Sequence, residues 1–222
     1  MDICLIRHAE PDWHPGGRHR MDPELSAQGH DQARRLAERA TGWPWVDEVW
    51  VSPATRSQQT AAPLVEALGQ TVRTLDWLLE VQPMNLEGKT REEVRALFKG
   101  ARARSVEDWW EGHRGGDNLR DRISAGFDEE ITRLGGQRAE AAPHWRDLPA
   151  AMRIVVVSHA GTSGAALSHL LGVPHVPWAW ERFRLGHAGM VVVRSAPMSE
   201  GHIFQLHSFN DRGHLPQEMH TA

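Results

Sequence analysis

The stretch Ile3-Cys4-Leu5-Ile6-Arg7-His8-Ala9-Glu10, close to the N-terminus, decides how the rest of the chain is interpreted. Its four apolar residues are typical of a short buried β-strand, and an arginine and a histidine follow at once. Ligands of open α/β sheets bind beyond the carboxyl ends of the strands, so Arg7 and His8 occupy the position of a site. Arginine offers a fork of donors suited to phosphate or carboxylate, and a neutral histidine offers a nucleophilic nitrogen. The pair suggests phosphoryl chemistry, although a structural role would be favoured if the pair stood alone.

Two further apolar runs end in a similar way. Residues 49–51 lead into Ser52-Pro53-Ala54-Thr55-Arg56, and residues 154–157 lead into Ser158-His159-Ala160-Gly161. Parallel strands that are neighbours in a sheet bring their carboxyl ends together, so the three motifs are expected to meet at one edge. The sequence therefore predicts one site that draws on all three segments.

Arg56 is expected in the first turn of a helix over residues 56–68. The backbone N–H groups exposed at the start of a helix favour an anion, and the helix dipole disfavours a cation there. A purely structural helix gains little from an arginine at this position. The mismatch favours a functional role for Arg56 as a phosphate ligand.

The order of these motifs resembles that of the histidine phosphatase superfamily, the group that includes the phosphoglycerate mutases. The resemblance rests on Arg7-His8-Ala9-Glu10 with Trp13, Leu25-Ser26-Ala27-Gln28-Gly29 with Gln32-Ala33, residues 52–60, Glu80 with Gly88, and Ser158-His159-Ala160-Gly161. The blocks span residues 2–170 in the family order. Together they are specific, although each alone is a weak signal.

The resemblance implies a metal-independent phosphomonoester hydrolase that acts through a phosphohistidine intermediate on a small phosphorylated metabolite. It implies His8 as the nucleophile, Glu80 as the general acid and His159 as a further catalytic residue. Arg7, Arg56 and His159 would bind the phosphate, and neither a cofactor nor a metal ion is expected. Two positions depart from the family pattern. His14 stands where an asparagine often contacts phosphate, and Met84 replaces a common glycine.

Two alternatives stay open at this point. A non-catalytic phospho-ligand-binding module would need the arginines but neither the nucleophile nor the acid, and the chain has the complete set. A phosphoglycerate mutase-type phosphomutase would need a closed pocket with fixed cations for a second anionic group. Residues 82–118 supply cations, but these are scattered through a glycine-rich segment, which favours a hydrolase. Trp109-Trp110 in that segment could cover an apolar substrate or serve packing.

The predicted fold is a three-layer α/β/α sandwich with a mostly parallel central sheet. We expect a single domain over residues 1–222, with a helical cap insertion over the active site at about residues 82–118. Helices are predicted after Ser26 as an N-cap, over residues 56–68, from the capping box that begins at Thr90, and over residues 117–134 and 161–171. Strands are predicted near residues 3–6, 47–51, 72–75, 152–157, 183–185, 190–193 and 203–206, the last two as a hairpin.

Composition narrows the function classes. Of the 222 residues, 40% are hydrophobic and 24% are charged, which is ordinary for a soluble globular protein. The net charge is -4 and the basic residues are scattered, so no nucleic-acid partner is expected. The 14 histidines lack the spacing of metal ligands, and no apolar run is long enough for a membrane span.

A single cysteine, Cys4, excludes an internal disulfide and suits a reducing compartment. The family motif begins at residue 2 and leaves no room for a signal peptide, so a cytoplasmic location is expected. A small-molecule phosphate ester is the expected partner, and a homodimer stays open.

Overall fold

A computed structural model of the chain describes residues 1–81, 84–115, 119–139, 144–174, 176 and 178–222. The strands are β1 (Asp2–Arg7), β2 (Glu48–Val51), β3 (Val72–Thr74), β4 (Gln137–Arg138), β5 (Trp145–Arg146), β6 (Arg153–Ser158), β7 (Met190–Met198) and β8 (Gly201–Asp211). They form one eight-stranded sheet in the order β3-β2-β6-β1-β7-β8-β5-β4. The fold of the described residues is therefore a mixed α/β fold.

The prediction of a mostly parallel sheet was wrong. The half formed by β3, β2, β6 and β1 is parallel, whereas β1 pairs with β7 in the antiparallel direction, and the pairs out to β4 are antiparallel as well. The physical reason lies in the connections. A parallel pair needs a crossover of a dozen or more residues, but only residues 199–200 join β7 to β8. The predicted hairpin of these two strands is confirmed.

The described residues contain six α-helices: α1 (Ala27–Ala40), α2 (Thr55–Leu68), α3 (Arg91–Arg102), α4 (Val106–Gly115), α5 (Leu119–Arg133) and α6 (Ala160–Leu170). The predicted caps are confirmed, since the Ser26 hydroxyl accepts from the Gly29 N–H and Thr90 and Glu93 form a capping box. α4 was missed because its sequence has no clear apolar period. No strand forms at residues 183–185, which follow a 3₁₀ turn at Ala179–Arg182.

Apolar residues of the central strands alternate between the two faces of the sheet. Leu5 and Val156 join a cluster with residues of α5 and α6, such as Phe127. Cys4 and Val155 join a second cluster with residues of α1 and α2. Cys4 packs there as a small apolar residue, as predicted, and burial raises the pKa of its thiol to about 12.

The sheet places the carboxyl ends of β2, β6 and β1 side by side. Arg7 is in register with Ser158, and Val51 is in register with Val157. The prediction that the three strands are parallel neighbours is confirmed. This adjacency positions the segments that follow the strands, and those segments carry the candidate site.

The segment predicted as an insertion contains α3 and α4. Residues 82–83 and 116–118 lie outside the described residues, as do the side chains of Trp110 and Arg114. Residues 117–118, at the start of the predicted fifth helix, also lie outside, and the rest of that helix is confirmed as α5. Among the described residues, no helix combines the length and apolar character needed to cross a membrane.

Candidate active site

His8 directly follows β1, and only 2% of its surface is exposed. Its Nδ1 lies 2.8 Å from the carbonyl oxygen of Ala9. A carbonyl oxygen only accepts, so the hydrogen-bond geometry assigns the ring proton to Nδ1 and leaves Nε2 unprotonated. The Ala9 backbone is held on both sides, because its N–H donates to the hydroxyl of Thr60 and the following Glu10 N–H donates to the Gln32 side-chain oxygen. The lone pair of His8 Nε2 is therefore available at a defined position.

Arg56 lies in the first turn of α2, as predicted, and is buried. Its Nε donates to His8 Nε2 over 3.3 Å, and its Nη2 donates to His159 Nδ1 over 3.1 Å. Its Nη1 lies 3.3 Å from a carboxylate oxygen of Asp22, which also accepts from the Thr55 N–H at the start of α2. One guanidinium thus joins the two histidines and the entrance loop.

His159 is the N-cap residue of α6, and its side chain is buried. Because its Nδ1 accepts from Arg56, its proton lies on Nε2 and is donated to the hydroxyl of Ser52 over 2.8 Å. The His8 and His159 ring centroids are 5.2 Å apart in an edge-on arrangement. The segments after β1, β2 and β6 therefore meet, as the sequence predicted.

Both histidines are held neutral. Burial lowers the pKa of His8 well below its ordinary value, and His159, Arg56 and Arg7 lower it further. Burial, Arg56 and Arg7 have the same effect on the pKa of His159. Protonation would place a third positive charge beside two guanidinium groups with little water to solvate it. An unprotonated His8 therefore persists well below pH 6.5.

Arg7 points two of its nitrogens at protein acceptors. Nη1 donates to the carbonyl oxygen of Leu185 over 2.7 Å, and Nη2 lies 2.9 Å from Nε2 of His187. Its Nε–H is buried and has no partner among the described residues. Burial lowers the pKa of Arg7 to about 10, so the group keeps its positive charge at neutral pH.

Glu80 lies two residues after the 3₁₀ turn Asp76–Leu78. The Gly161 N–H donates to one of its carboxyl oxygens over 2.8 Å, and the Val81 N–H donates to the other over 3.0 Å. The residue as a whole is partly exposed, but its carboxyl group is shielded from water. Loss of hydration raises the pKa of Glu80, against the opposing effect of the two N–H groups, Arg56 and Arg7.

Other polar residues of the segment that follows His8 have partners within the protein. Glu10 accepts from the Ser26 hydroxyl, and Asp12 accepts from the His14 N–H. The His14 ring lies against His19, with centroids 5.1 Å apart. Arg18 donates to the Gly88 carbonyl oxygen.

Sequence reasoning missed three residues at the site. Asp22 holds Arg56 and the start of α2, Thr60 holds the Ala9 peptide, and His187 contacts Arg7. A signal for His187 existed in hindsight. If the strand that begins at Met190 had been predicted to run antiparallel to β1, the residues before it would have been placed beside Arg7.

The described residues include no group of three or more histidine, cysteine, aspartate or glutamate side chains that could hold a metal ion. They bring together the buried Arg56, the half-buried Arg7, two neutral histidines and a carboxyl group with a raised pKa. Such a set can bind a phosphate, attack it and protonate a leaving group.

Comparison with known proteins agrees with this chemistry. The family model of the histidine phosphatase superfamily (branch 1) matches residues 3–211, so the chain belongs to that superfamily. It is a phosphomonoester hydrolase of the class that uses a histidine nucleophile.

Several relatives span most of the chain. Phosphoserine phosphatase 1 of Hydrogenobacter thermophilus is 32% identical over 180 residues, which cover 77% of this chain and 76% of that protein. The probable phosphoglycerate mutase GpmB of Yersinia enterocolitica is 29% identical and covers 97% of this chain and 95% of its own length. The structure of a mycobacterial glucosyl-3-phosphoglycerate phosphatase superposes with a TM-score of 0.69 at 25% identity, covering 94% of this chain and 98% of that one.

Proposed function

We propose that the protein hydrolyses a small phosphorylated metabolite without a metal ion, with His8 as the nucleophile. The observation that carries the proposal is the hydrogen bond from His8 Nδ1 to the Ala9 carbonyl oxygen, which leaves Nε2 unprotonated beside Arg56. The phosphatase names of the relatives support a phosphate monoester of a small metabolite as the substrate class.

In the first half of the reaction, the lone pair of His8 Nε2 attacks phosphorus. The bond between phosphorus and the leaving oxygen breaks, and that oxygen takes the proton of the Glu80 carboxyl. In the second half, water attacks phosphohistidine and gives a proton to the Glu80 carboxylate. The N–P bond breaks, its electron pair returns to His8, and inorganic phosphate leaves.

The phosphoryl group spreads negative charge over its equatorial oxygens in the transition state. Arg7 and Arg56 supply fixed positive charge, and the N–H of His159, now donated to Ser52, supplies a further donor. In the proposed mechanism these groups take the place of a metal ion.

We further propose that the chain is a single three-layer α/β/α domain with residues 82–118 as its cap. The His19 N–H donates to the Lys89 carbonyl oxygen, and the Gly88 N–H donates to the His19 carbonyl oxygen. Because His19 belongs to the loop that follows His8, these contacts support a cap at the entrance. The proposed cytoplasmic location rests on the single, buried cysteine.

The leaving group tests the role of Glu80. In Glu80→Gln, kcat/KM for an alkyl phosphate should fall far more than for p-nitrophenyl phosphate, whose leaving group needs little protonation. The parameter kcat/KM is the suitable one because it reports formation of phosphohistidine and not its hydrolysis.

The pH profile gives a second measurement on the same variant. The carboxyl must be protonated to act, and its raised pKa keeps it protonated above its ordinary range near 4.5. With an alkyl phosphate, kcat/KM of the wild type should fall as pH rises through the Glu80 pKa, and Glu80→Gln should lack that fall. In the leaving-group test, equal slowing of the alkyl phosphate and of p-nitrophenyl phosphate by Glu80→Gln would assign the acid role to another group.

Gly161 tests the placement of the same carboxyl. A Cβ at Gly161 would lie 2.5 Å from Glu80 Oε1, so Gly161→Ala must displace the carboxyl group. We expect kcat/KM for an alkyl phosphate to fall on the order of 100-fold, as for a misplacement of about 1 Å. Gly100→Ala, on α3, is the matched control because a Cβ there meets nothing within 4 Å. Unchanged alkyl phosphate kinetics in Gly161→Ala would contradict the role of this contact.

A product assay separates hydrolase from mutase. With 3-phosphoglycerate, with and without a bisphosphate primer, we expect inorganic phosphate to appear and isomer formation to be negligible. The structure favours this result because the cap cations Arg91, Arg102 and Arg104 are exposed, and Arg102 pairs with Glu181. A run in EDTA should give the same rate. Isomer formed faster than phosphate would favour a mutase, and activity restored only by a divalent ion would refute the metal-free proposal.

A further inference from the structure

His187 lies in the turn between Leu185 and β7, with 4% of its surface exposed. Its Nε2 is 2.9 Å from Nη2 of Arg7, and its Nδ1 is 2.8 Å from the hydroxyl of Thr221. Its ring centroid is 5.6 Å from that of His8. A third buried histidine thus lies beside the candidate site, although the proposed reaction uses only His8 and His159.

The hydrogen bonds fix the proton of His187. A guanidinium only donates, so Nε2 must accept from Arg7, and the ring proton is on Nδ1, where it is donated to Thr221. Protonated His187 would present an N–H to a guanidinium, and the contact would be lost. Burial, Arg7 and Arg212 lower the pKa of His187 to about 3. His187 is therefore a fixed acceptor at working pH and cannot serve as an acid.

The hydrogen bonds of this turn determine the orientation of the Arg7 side chain. The two acceptors of its guanidinium, the Leu185 carbonyl oxygen and His187 Nε2, come from one segment of three residues. The backbone of the same turn is also hydrogen-bonded to Arg7 and His8. The Arg7 N–H donates to the Gly189 carbonyl oxygen, and the Ala188 N–H donates to the His8 carbonyl oxygen. Two acceptors on the two terminal nitrogens set the plane of the guanidinium and leave its Nε–H without a partner among the described residues.

We propose that His187 is a positioning residue that orients Arg7 for the phosphate. The inference rests on the proposed function, in which Arg7 binds the phosphoryl group. Displacement of a charged donor by a fraction of an ångström is enough to weaken the contact it makes. The competing explanation is that His187 only packs the end of the chain, through Thr221, against the turn.

Two substitutions separate the contacts of the ring. Asparagine places its amide near Nδ1 and loses the acceptor for Arg7, whereas glutamine places its amide oxygen near Nε2 and restores that acceptor. Isothermal titration with inorganic phosphate measures the phosphate site without turnover, so the result does not depend on which residue is the nucleophile. His187→Asn should weaken phosphate binding ~10-fold or more, as for a lost hydrogen bond to a charged group, and His187→Gln should recover most of it.

A double-mutant cycle with Arg7→Ala identifies the route of the effect. If His187 acts through Arg7, His187→Asn should cost little more once Arg7 is gone. His169→Asn is the matched control, because His169 is buried and bonded to Asp128 away from the site. Equal loss of phosphate affinity in both Arg7 backgrounds, or no loss in the wild-type background, would overturn the proposal.

If His187→Asn fails to fold, Thr221→Val tests the same route. It removes the acceptor of the Nδ1 proton, so the tautomer that accepts from Arg7 is no longer favoured. Phosphate affinity should fall several-fold when Arg7 is present, by the loss of one neutral hydrogen bond. An unchanged affinity in both backgrounds would overturn the proposal.

Discussion

Replacing His8 by alanine should reduce turnover of p-nitrophenyl phosphate on the order of 10⁵- to 10⁶-fold, as for removal of a nucleophile that acts in a unit. The reason is geometric. His8 Nε2 is an unprotonated nitrogen held beside Arg56 at the end of β1, and alanine offers nothing in its place. Steady-state kinetics at neutral pH make the measurement.

The loss should not come from unfolding. His8→Ala should retain the wild-type circular dichroism spectrum and should still bind inorganic phosphate, because Arg7 and Arg56 remain. His207→Ala is the matched control, since this histidine is exposed on β8 and should leave turnover unchanged. If His8→Ala kept turnover near that of the wild type, the assignment of the nucleophile would be wrong.

Arg56→Lys should lower turnover ~100- to 1,000-fold, the usual cost of removing one donor from a preorganised charge site. Arg56 uses three different nitrogens on His8, His159 and Asp22. Lysine has one compact ammonium group and cannot hold all three partners or present a bidentate fork to phosphate. The charge is kept, so the variant tests geometry and not charge alone.

Arg34→Lys on α1 is the control for Arg56→Lys, because Arg34 is exposed and its charged partner is Asp31 of the same helix. It should leave kcat and KM unchanged. An Arg56→Lys enzyme within about threefold of the wild type would show that a positive charge suffices, which would contradict the role assigned to the fork.

The parallel half of the sheet was predictable because its signal is local. Each of the strands β1, β2 and β6 is an apolar run that ends in a polar motif, and sheets of this kind gather ligands at that edge. The motif pattern therefore predicted that Arg7, His8, Arg56 and His159 lie together, and the structure brings them together.

The antiparallel pairing of β7 with β1 was not predictable in the same way. β7 runs antiparallel to β1, and no local pattern in the sequence announces the turn at residues 186–189 that precedes β7. Ala188 in this turn adopts a positive φ of 52°, a conformation that usually favours glycine, so its residue type gives no signal of the turn. The contact between His187 and Arg7 depends on this turn, so it was missed for the same reason.

Glu80 illustrates a third case. The spacing between Glu80 and Gly88 indicated a role for Glu80 only through the family resemblance, and no pattern near Glu80 in the sequence predicts that its carboxyl group is shielded from water. Its environment comes from Gly161, 81 residues later in the chain, whose missing side chain leaves room for the carboxyl. A long-range packing relation of this kind cannot be derived from periodicity.

The most direct test of the central claim is to trap the phosphoryl group on His8. Glu80→Gln, in which water lacks its base, is mixed with p-nitrophenyl phosphate, quenched in alkali, where phosphohistidine is stable, and analysed by peptide mass spectrometry. We predict one phosphate per chain on His8, released by brief acid treatment and absent from His8→Ala. Phosphate on another residue, or continued turnover with no phosphorylated His8 at any quench time, would contradict the mechanism.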